Sequence, residues 1–135
     1  MVEISTISMQ QVFTERLYLR EFREGDITNA YLTALQDPEL LKLTEARHTK
    51  WTRDAAIQYV RDSNVPGVME LIGIFLKDAN LHIGSIRLSG FSFIHKRVEF
   101  GILVWNRSAW GKGYATEAII RLEQYVFDEL KFHKL

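Results

Sequence analysis

The stretch WGKGYATEA, residues 110–118, constrains this chain more than any other. Two glycines flank one lysine and run straight into a segment of helical spacing. In YATEAIIRLEQYVFDEL (114–130), Ala115, Ala118, Ile119, Leu122 and Val126 recur every three or four residues. A chain that enters a helix through glycines leaves main-chain amides unpaired at the helix N-terminus, and such a terminus receives anions. Gly111 and Gly113 carry no Cβ, so an oxyanion can approach the backbone closely. The amides of Gly113, Tyr114 and Ala115 would donate, Lys112 would add a charge and Thr116 a hydroxyl. That set suits a pyrophosphate; the alternative is a tight strand-to-helix turn without a ligand.

Two nucleotide-binding patterns do not fit. No G-K-[ST] follows a four-residue spacer, and a dinucleotide fingerprint would place a small apolar residue where Thr116 stands. That fingerprint also follows the first strand of a βαβ unit, whereas this loop follows the last of several strands.

Those strands are read from alternation and turn residues. MELIGIFL (69–76), LHIGSIRLSG (81–90) and RVEFGILV (97–104) are short and apolar, and KDAN and FSFIHK separate them as hairpin turns after Pro66 and Gly67. Upstream, ERLYLREF (15–22) alternates as a strand with one wet face. GDITNAYLTALQD (25–37) reads as a helix capped by Asp26, and PELLKLTEARHTKW as a helical turn followed by a loop. Thr52 caps a further helix whose Ala56, Tyr59 and Val60 share one side. The order is strand, two helices, three strands, glycine loop and helix, a layered α/β arrangement.

At 135 residues the chain supports one domain, so every motif belongs to one site. Lysine plus arginine equals aspartate plus glutamate at 17 each, which argues against a nucleic-acid partner. The absence of cysteine excludes a thiol nucleophile and a cysteine zinc site, and four histidines without a close pair argue against any metal. No apolar run approaches a membrane span, and MVEISTISMQQ lacks the parts of a signal peptide, so a cytoplasmic protein with no membrane partner is expected.

Taken together, TERLYLREFREGD, IGSIRLSG, VEFGILV and SAWGKGYATEAI resemble, in order and spacing, the GNAT superfamily of acyl-CoA-dependent N-acyltransferases. WGKGYATEA is similar in particular to the subgroup containing the ribosomal-protein N-terminal acetyltransferases. The resemblance implies a mixed, mainly antiparallel twisted sheet flanked by helices. It implies acetyl-CoA as cosubstrate, its pantetheine arm paired with the backbone of Ile102, Leu103 and Val104. Its pyrophosphate would lie on the loop from Gly111 through Lys112, Gly113, Tyr114 and Ala115 to the hydroxyl of Thr116. Pantetheine amides resemble a peptide strand and can add to a sheet edge, and an amide near Ile102 could polarise the thioester carbonyl. The family's phosphate loop begins with Gln or Arg where Ser108 stands; Arg107, one step earlier, is the candidate to take that place. Family members also continue beyond FHKL into further strands with a general-acid tyrosine. The chain is therefore expected to be C-terminally truncated, a reduced form, or completed by another chain, with a homodimer across the open edge of 97–104.

Transfer to an amine requires removal of a proton. Glu99 is the candidate base, two residues before Gly101; its other reading is a solvated cross-strand partner of Arg87 or Arg97. Tyr31, Trp51 and Phe91 to Phe93 are candidates to line the acceptor pocket, with core packing as the alternative for each. His82 and His95 read as packing or surface residues, and Glu117 as an acid favoured by the helix dipole. The expected activity is direct acetyl transfer to a primary amine, at a protein N-terminus or on a small amine such as an amino sugar or polyamine. The alternative is a non-catalytic acyl-CoA-binding module.

Overall fold

The computed structural model describes residues 11–42, 48–65, 68–92 and 94–129. Pro66, Gly67, Phe93 and the segment after Glu129, all used in the sequence reading, lie outside them.

Five strands follow one another as an antiparallel sheet in chain order: β1 (Val12–Phe13), β2 (Leu17–Glu21), β3 (Glu70–Leu76), β4 (Leu81–Ser92) and β5 (Arg97–Leu103). Short turns between consecutive β3, β4 and β5 give the hairpins expected from the sequence. The β3–β4 turn closes on Asn80 at φ +50°, a region asparagine tolerates, and the Asn80 side chain accepts a hydrogen bond from the Tyr18 hydroxyl.

Alternation divides the sheet into two apolar faces. Leu17, Leu19, Ile72, Ile86, Leu88 and Val98 pack with Ala118, Leu122 and Val126 of α4 (Tyr114–Gln124) and the π-helical turn Tyr125–Glu129 that continues it. Of the helix read through residue 130, the described part is α-helical to Gln124 and π-helical from Tyr125 to Glu129, and Tyr125 and Val126 keep their buried positions. On the other face Phe22 and Leu71 meet α1 (Asn29–Leu35), α2 (Pro38–Leu41) and α3 (Arg53–Ser63) through Tyr31, Leu35, Ala56 and Val60.

Thr52 caps α3 as expected, accepting from the Ala55 amide at 3.2 Å. The cap of α1 is Thr28, which accepts from the Tyr31 amide at 3.1 Å, and not Asp26. Asp26 instead closes the preceding 3-10 turn by accepting from the Arg23 amide at 2.8 Å, and Arg20 holds both its oxygens at 2.7 and 2.8 Å.

One irregularity decides which side chains reach the site. Between Ser89 and Ser92 the β4–β5 register shifts by one residue, where Gly90 adopts φ +63°. A one-residue bulge exchanges the two faces of the strand beyond it. Ser85, Arg87 and Ser89 therefore share the α1–α3 face with their partners Leu103, Gly101 and Glu99, while Phe91 passes to the α4 face.

Candidate active site

The end of β5 runs through a 3-10 turn (Arg107–Ala109) into the glycine loop and α4. Asn106 starts that turn by accepting from the Ser108 amide at 3.1 Å. Gly111 and Gly113 have φ +75° and +78°, left-handed values costly for residues with a Cβ. Gly113 is the N-cap of α4 and provides no side-chain hydrogen bond, so the first amides of the helix are left for an external acceptor. Gly111, Lys112, Gly113 and Thr116 are exposed, and Tyr114 and Ala115 half-buried.

Arg16 and Glu117 organise this loop from outside it. Glu117 accepts from the Thr14 hydroxyl, from the Arg16 amide at 2.9 Å and from Arg16 Nε at 2.7 Å. Partial burial works against its charge, yet these hydrogen bonds and the Arg16 charge together hold its carboxyl below the usual carboxylate value. A carboxylate in the first turn would otherwise repel an anion bound there; the guanidinium neutralises it. Arg16 Nη1 also donates to the Lys112 carbonyl at 2.9 Å, and its guanidinium lies 4.4 Å from the Tyr114 ring centroid. In a trans peptide the carbonyl and the next N–H point opposite ways, so anchoring the Lys112 carbonyl on Arg16 turns the Gly113 amide to the far side. Neither Arg16 nor its pairing with Glu117 carries a local sequence signal.

Two of the cofactor candidates have partners within the protein. The Val104 carbonyl accepts from Trp110 Nε1 at 2.6 Å, which removes it from the backbone groups expected to be free. Arg107 makes an ion pair with Asp37 at 2.5 Å and lies 5.5 Å from the Trp110 ring centroid, tying the loop to the start of α2. Ile102 and Leu103 remain at the end of β5, which is the sheet's edge strand among the described residues.

Beside this strand end a cleft of about 380 Å³ opens between the sheet and α1–α3. Tyr31, Leu35, Trp51, Tyr59, Ser85, Arg87 and Gly101–Leu103 line it, with Thr49. Tyr31 and Trp51, both singled out from the sequence, lie here. Burial raises the Tyr31 phenol above its ordinary value, so it stays protonated at neutral pH. Phe91 does not line the cleft: the bulge at Gly90 sends it to pack against the core under α4. Glu99 is exposed on the cleft face, two residues from Gly101. Its carboxylate turns along β4 toward Gly90, where an added Cβ would lie 3.2 Å from Glu99 Oε2. It forms no ion pair with Arg87 or Arg97 among the described residues. Arg87, weighed from the sequence only as a partner for Glu99, forms part of the cleft floor.

His82 is a buried core residue. Its Nε2 bonds the Gly84 carbonyl at 2.8 Å, its ring stacks on Phe75 at 4.5 Å, and burial lowers its pKa to about 4.

Comparison with known proteins agrees with the fold. Residues 16–135 match the model of an acetyltransferase (GNAT) domain. An N-acetyltransferase p20 of Bacillus licheniformis, itself described as uncharacterized, is 32% identical over 135 residues, covering 94% of this chain and 71% of that protein. A GNAT-family acetyltransferase from Bacillus anthracis superposes with TM-score 0.76 at 24% identity, over 92% of this chain and 70% of its own. A spermidine N-acetyltransferase from Vibrio cholerae, solved with CoA and spermine, superposes with TM-score 0.73 at 20% identity, over 89% and 69%. A ribosomal-protein-serine acetyltransferase fold from the same organism gives 0.66 at 19%, over 91% and 70%. With the family model matched across nearly the whole chain, this protein belongs to the GNAT family of N-acetyltransferases.

Proposed function

We propose that the protein transfers acetyl from acetyl-CoA directly to a primary amine bound in the cleft beside β5. The observation carrying this reading is the uncapped N-terminus of α4, reached through two left-handed glycines at the end of an edge strand that also borders an apolar cleft. The residues present fit the donor. The amides from Gly111 to Thr116 and the Lys112 ammonium would hold its pyrophosphate, and the backbone of Ile102 and Leu103 its pantetheine arm.

The acceptor enters from the side of Tyr31 and Trp51. Glu99, directly or through one water, takes the proton from its ammonium, and the freed nitrogen lone pair attacks the thioester carbonyl. An amide near Ile102 polarises that oxygen; the attacking nitrogen then sheds its second proton to solvent, the carbon–sulfur bond breaks, and the thiolate takes up a proton from solvent and leaves as CoA. No covalent bond to the protein is needed. The Arg97–Phe100 half of the β5 edge is available to pair with a second copy, giving a homodimer that sedimentation would detect.

Calorimetric titration with acetyl-CoA and with dephospho-CoA tests the donor, and release of free CoA in the presence of an amine panel tests transfer. Binding together with amine-dependent CoA release is the expected result. Folded protein that binds neither nucleotide would overturn the reading.

A further inference from the structure

Among the described residues that line the acceptor cleft one side chain is charged, Arg87; Glu99 stands on the same face beyond the lining, its carboxylate turned toward Gly90 and not onto Arg87. Arg87 Nε is buried without a hydrogen-bond partner. Its Nη2 lies 2.8 Å from Met69 Sδ, a weak acceptor that cannot neutralise a cation, and the guanidinium sits 5.6 Å from the Tyr59 ring centroid. The carboxylates nearest in register are both directed elsewhere. Glu99, diagonal to Arg87 across the β4–β5 ladder, turns toward Gly90. Glu70 precedes Leu71, the β3 partner of Arg87, so alternation places it on the α4 face. A half-buried guanidinium with vacant donors is costly unless a ligand supplies the anion.

Resting on the acetyltransferase reading above, we infer that the acceptor is a small amino carboxylic acid whose carboxylate binds Arg87 while its amine faces the strand end at Ile102. Arg87 stands directly opposite Gly101, one residue before Ile102, so the two groups of the acceptor are a few bonds apart, as in an amino acid of ordinary size. Tyr31, Leu35, Trp51 and Leu103 offer an apolar wall for the remainder. A planar guanidinium matches a carboxylate with two parallel hydrogen bonds, whereas a polyamine would bring further positive charge against an uncompensated one. Arg87 is thus a specificity-determining residue of the cleft.

The test measures kcat/KM for a panel of L-amino acids of differing side chain, each against its own amide, with spermidine alongside. The acid is expected to exceed its amide by about 10- to 100-fold for the preferred side chains, even though the amide's less basic amine is the easier to deprotonate. Arg87→Gln should abolish that ratio and Arg87→Lys restore part of it, a pattern that general loss of folding does not produce. Preference for the amides or spermidine, or a ratio unchanged in Arg87→Gln, would overturn the inference. Calorimetry on the same samples separates the two levels. Binding of acetyl-CoA without binding or turnover of any amino acid defeats this inference alone. Arg87-dependent binding of an amino acid without binding of acetyl-CoA defeats the transfer reading and leaves the carboxylate site standing.

Discussion

Arg16 on β2's approach and Glu117 in the first turn of α4, 101 residues apart in sequence, form one ion pair at 2.7 Å that fixes both the charge and the orientation of the glycine loop. Glu117→Gln keeps the shape of the side chain but removes the charge that holds Arg16. It should weaken acetyl-CoA binding by roughly threefold to tenfold, the size of one modest hydrogen-bond contribution, because the Lys112–Gly113 peptide loses its anchor. Because folding lowers the Glu117 carboxyl pKa, its stabilising contribution is present above the ordinary carboxylate value and is lost as pH falls through the lower folded value. Thermal melts from pH 6 to 3 should show a smaller acid-induced fall in Tm for the variant. High salt should narrow the difference in part, since the Arg16 side of the pair is exposed to solvent. Identical CoA affinity in the variant would remove Arg16 and Glu117 from loop positioning.

The two loop glycines separate a folding requirement from a ligand requirement. A Cβ at Gly111 meets nothing within 4 Å, and one at Gly113 meets only Arg16 Nη2 at 3.5 Å, so neither is excluded by packing. The cost of Gly113→Ala is the left-handed backbone, about 1–2 kcal/mol, read as a lower denaturation midpoint. Replacing both glycines by valine should in addition abolish CoA binding, because the branched Cβ groups stand where the anion approaches the amides. Unchanged affinity in a folded double variant would show that the pyrophosphate lies elsewhere.

Local patterns recovered what local physics controls. The β3–β4–β5 meander, the Thr52 cap and the buried stripe of α4 follow from alternation, hydroxyl capping and 3.6-residue spacing, all contained in short windows. Thr28 displaced Asp26 as the α1 cap because Arg20, on a neighbouring strand, had already engaged both Asp26 oxygens. Phe91 was grouped with the cleft because the family resemblance sets the hairpin loop beside it; the left-handed Gly90 reverses the faces of β4 beyond it and carries Phe91 to the α4 side. Arg16 was not singled out, and Arg87 was weighed only as a partner for Glu99, for a related reason. Each is placed by what stands opposite it across the fold, a carboxylate for Arg16 and, among the described residues, none for Arg87. The left-handed glycines and the uncapped start of α4 were readable because both lie within one short stretch of sequence.

Glu99 is on the cleft face, exposed and without an ion pair among the described residues, and so is available to accept a proton. Glu99→Gln should reduce turnover by about 10²- to 10⁴-fold near neutral pH, the usual contribution of a general base, while leaving acetyl-CoA affinity intact. The deficit should shrink as pH rises, because solvent then deprotonates the acceptor amine without help. A deficit constant across the pH profile would assign the glutamate to acceptor binding rather than proton transfer.

His82 sets a second pH response, one of stability and not of chemistry. Burial holds its pKa near 4, against 6.5 for the free side chain, so the folded chain keeps it neutral where the unfolded chain protonates it. The unfolded state therefore binds more protons between those values, and stability falls as pH drops from about 6.5 toward 4. At one pKa unit per 1.36 kcal/mol the total loss is of order 3 kcal/mol, a substantial part of a small domain's stability. His82→Phe retains an aromatic ring against Phe22, Phe75 and Trp105 but gives up the bond to the Gly84 carbonyl. Its stability at pH 7.5 should be lower than that of the unsubstituted protein, yet its denaturation midpoint should change far less between pH 6.5 and 4. Urea unfolding at four or five pH values across that interval measures both slopes. Parallel slopes would mean that His82 protonates in the folded state without resistance, and that the acid sensitivity of this fold arises from its carboxylates.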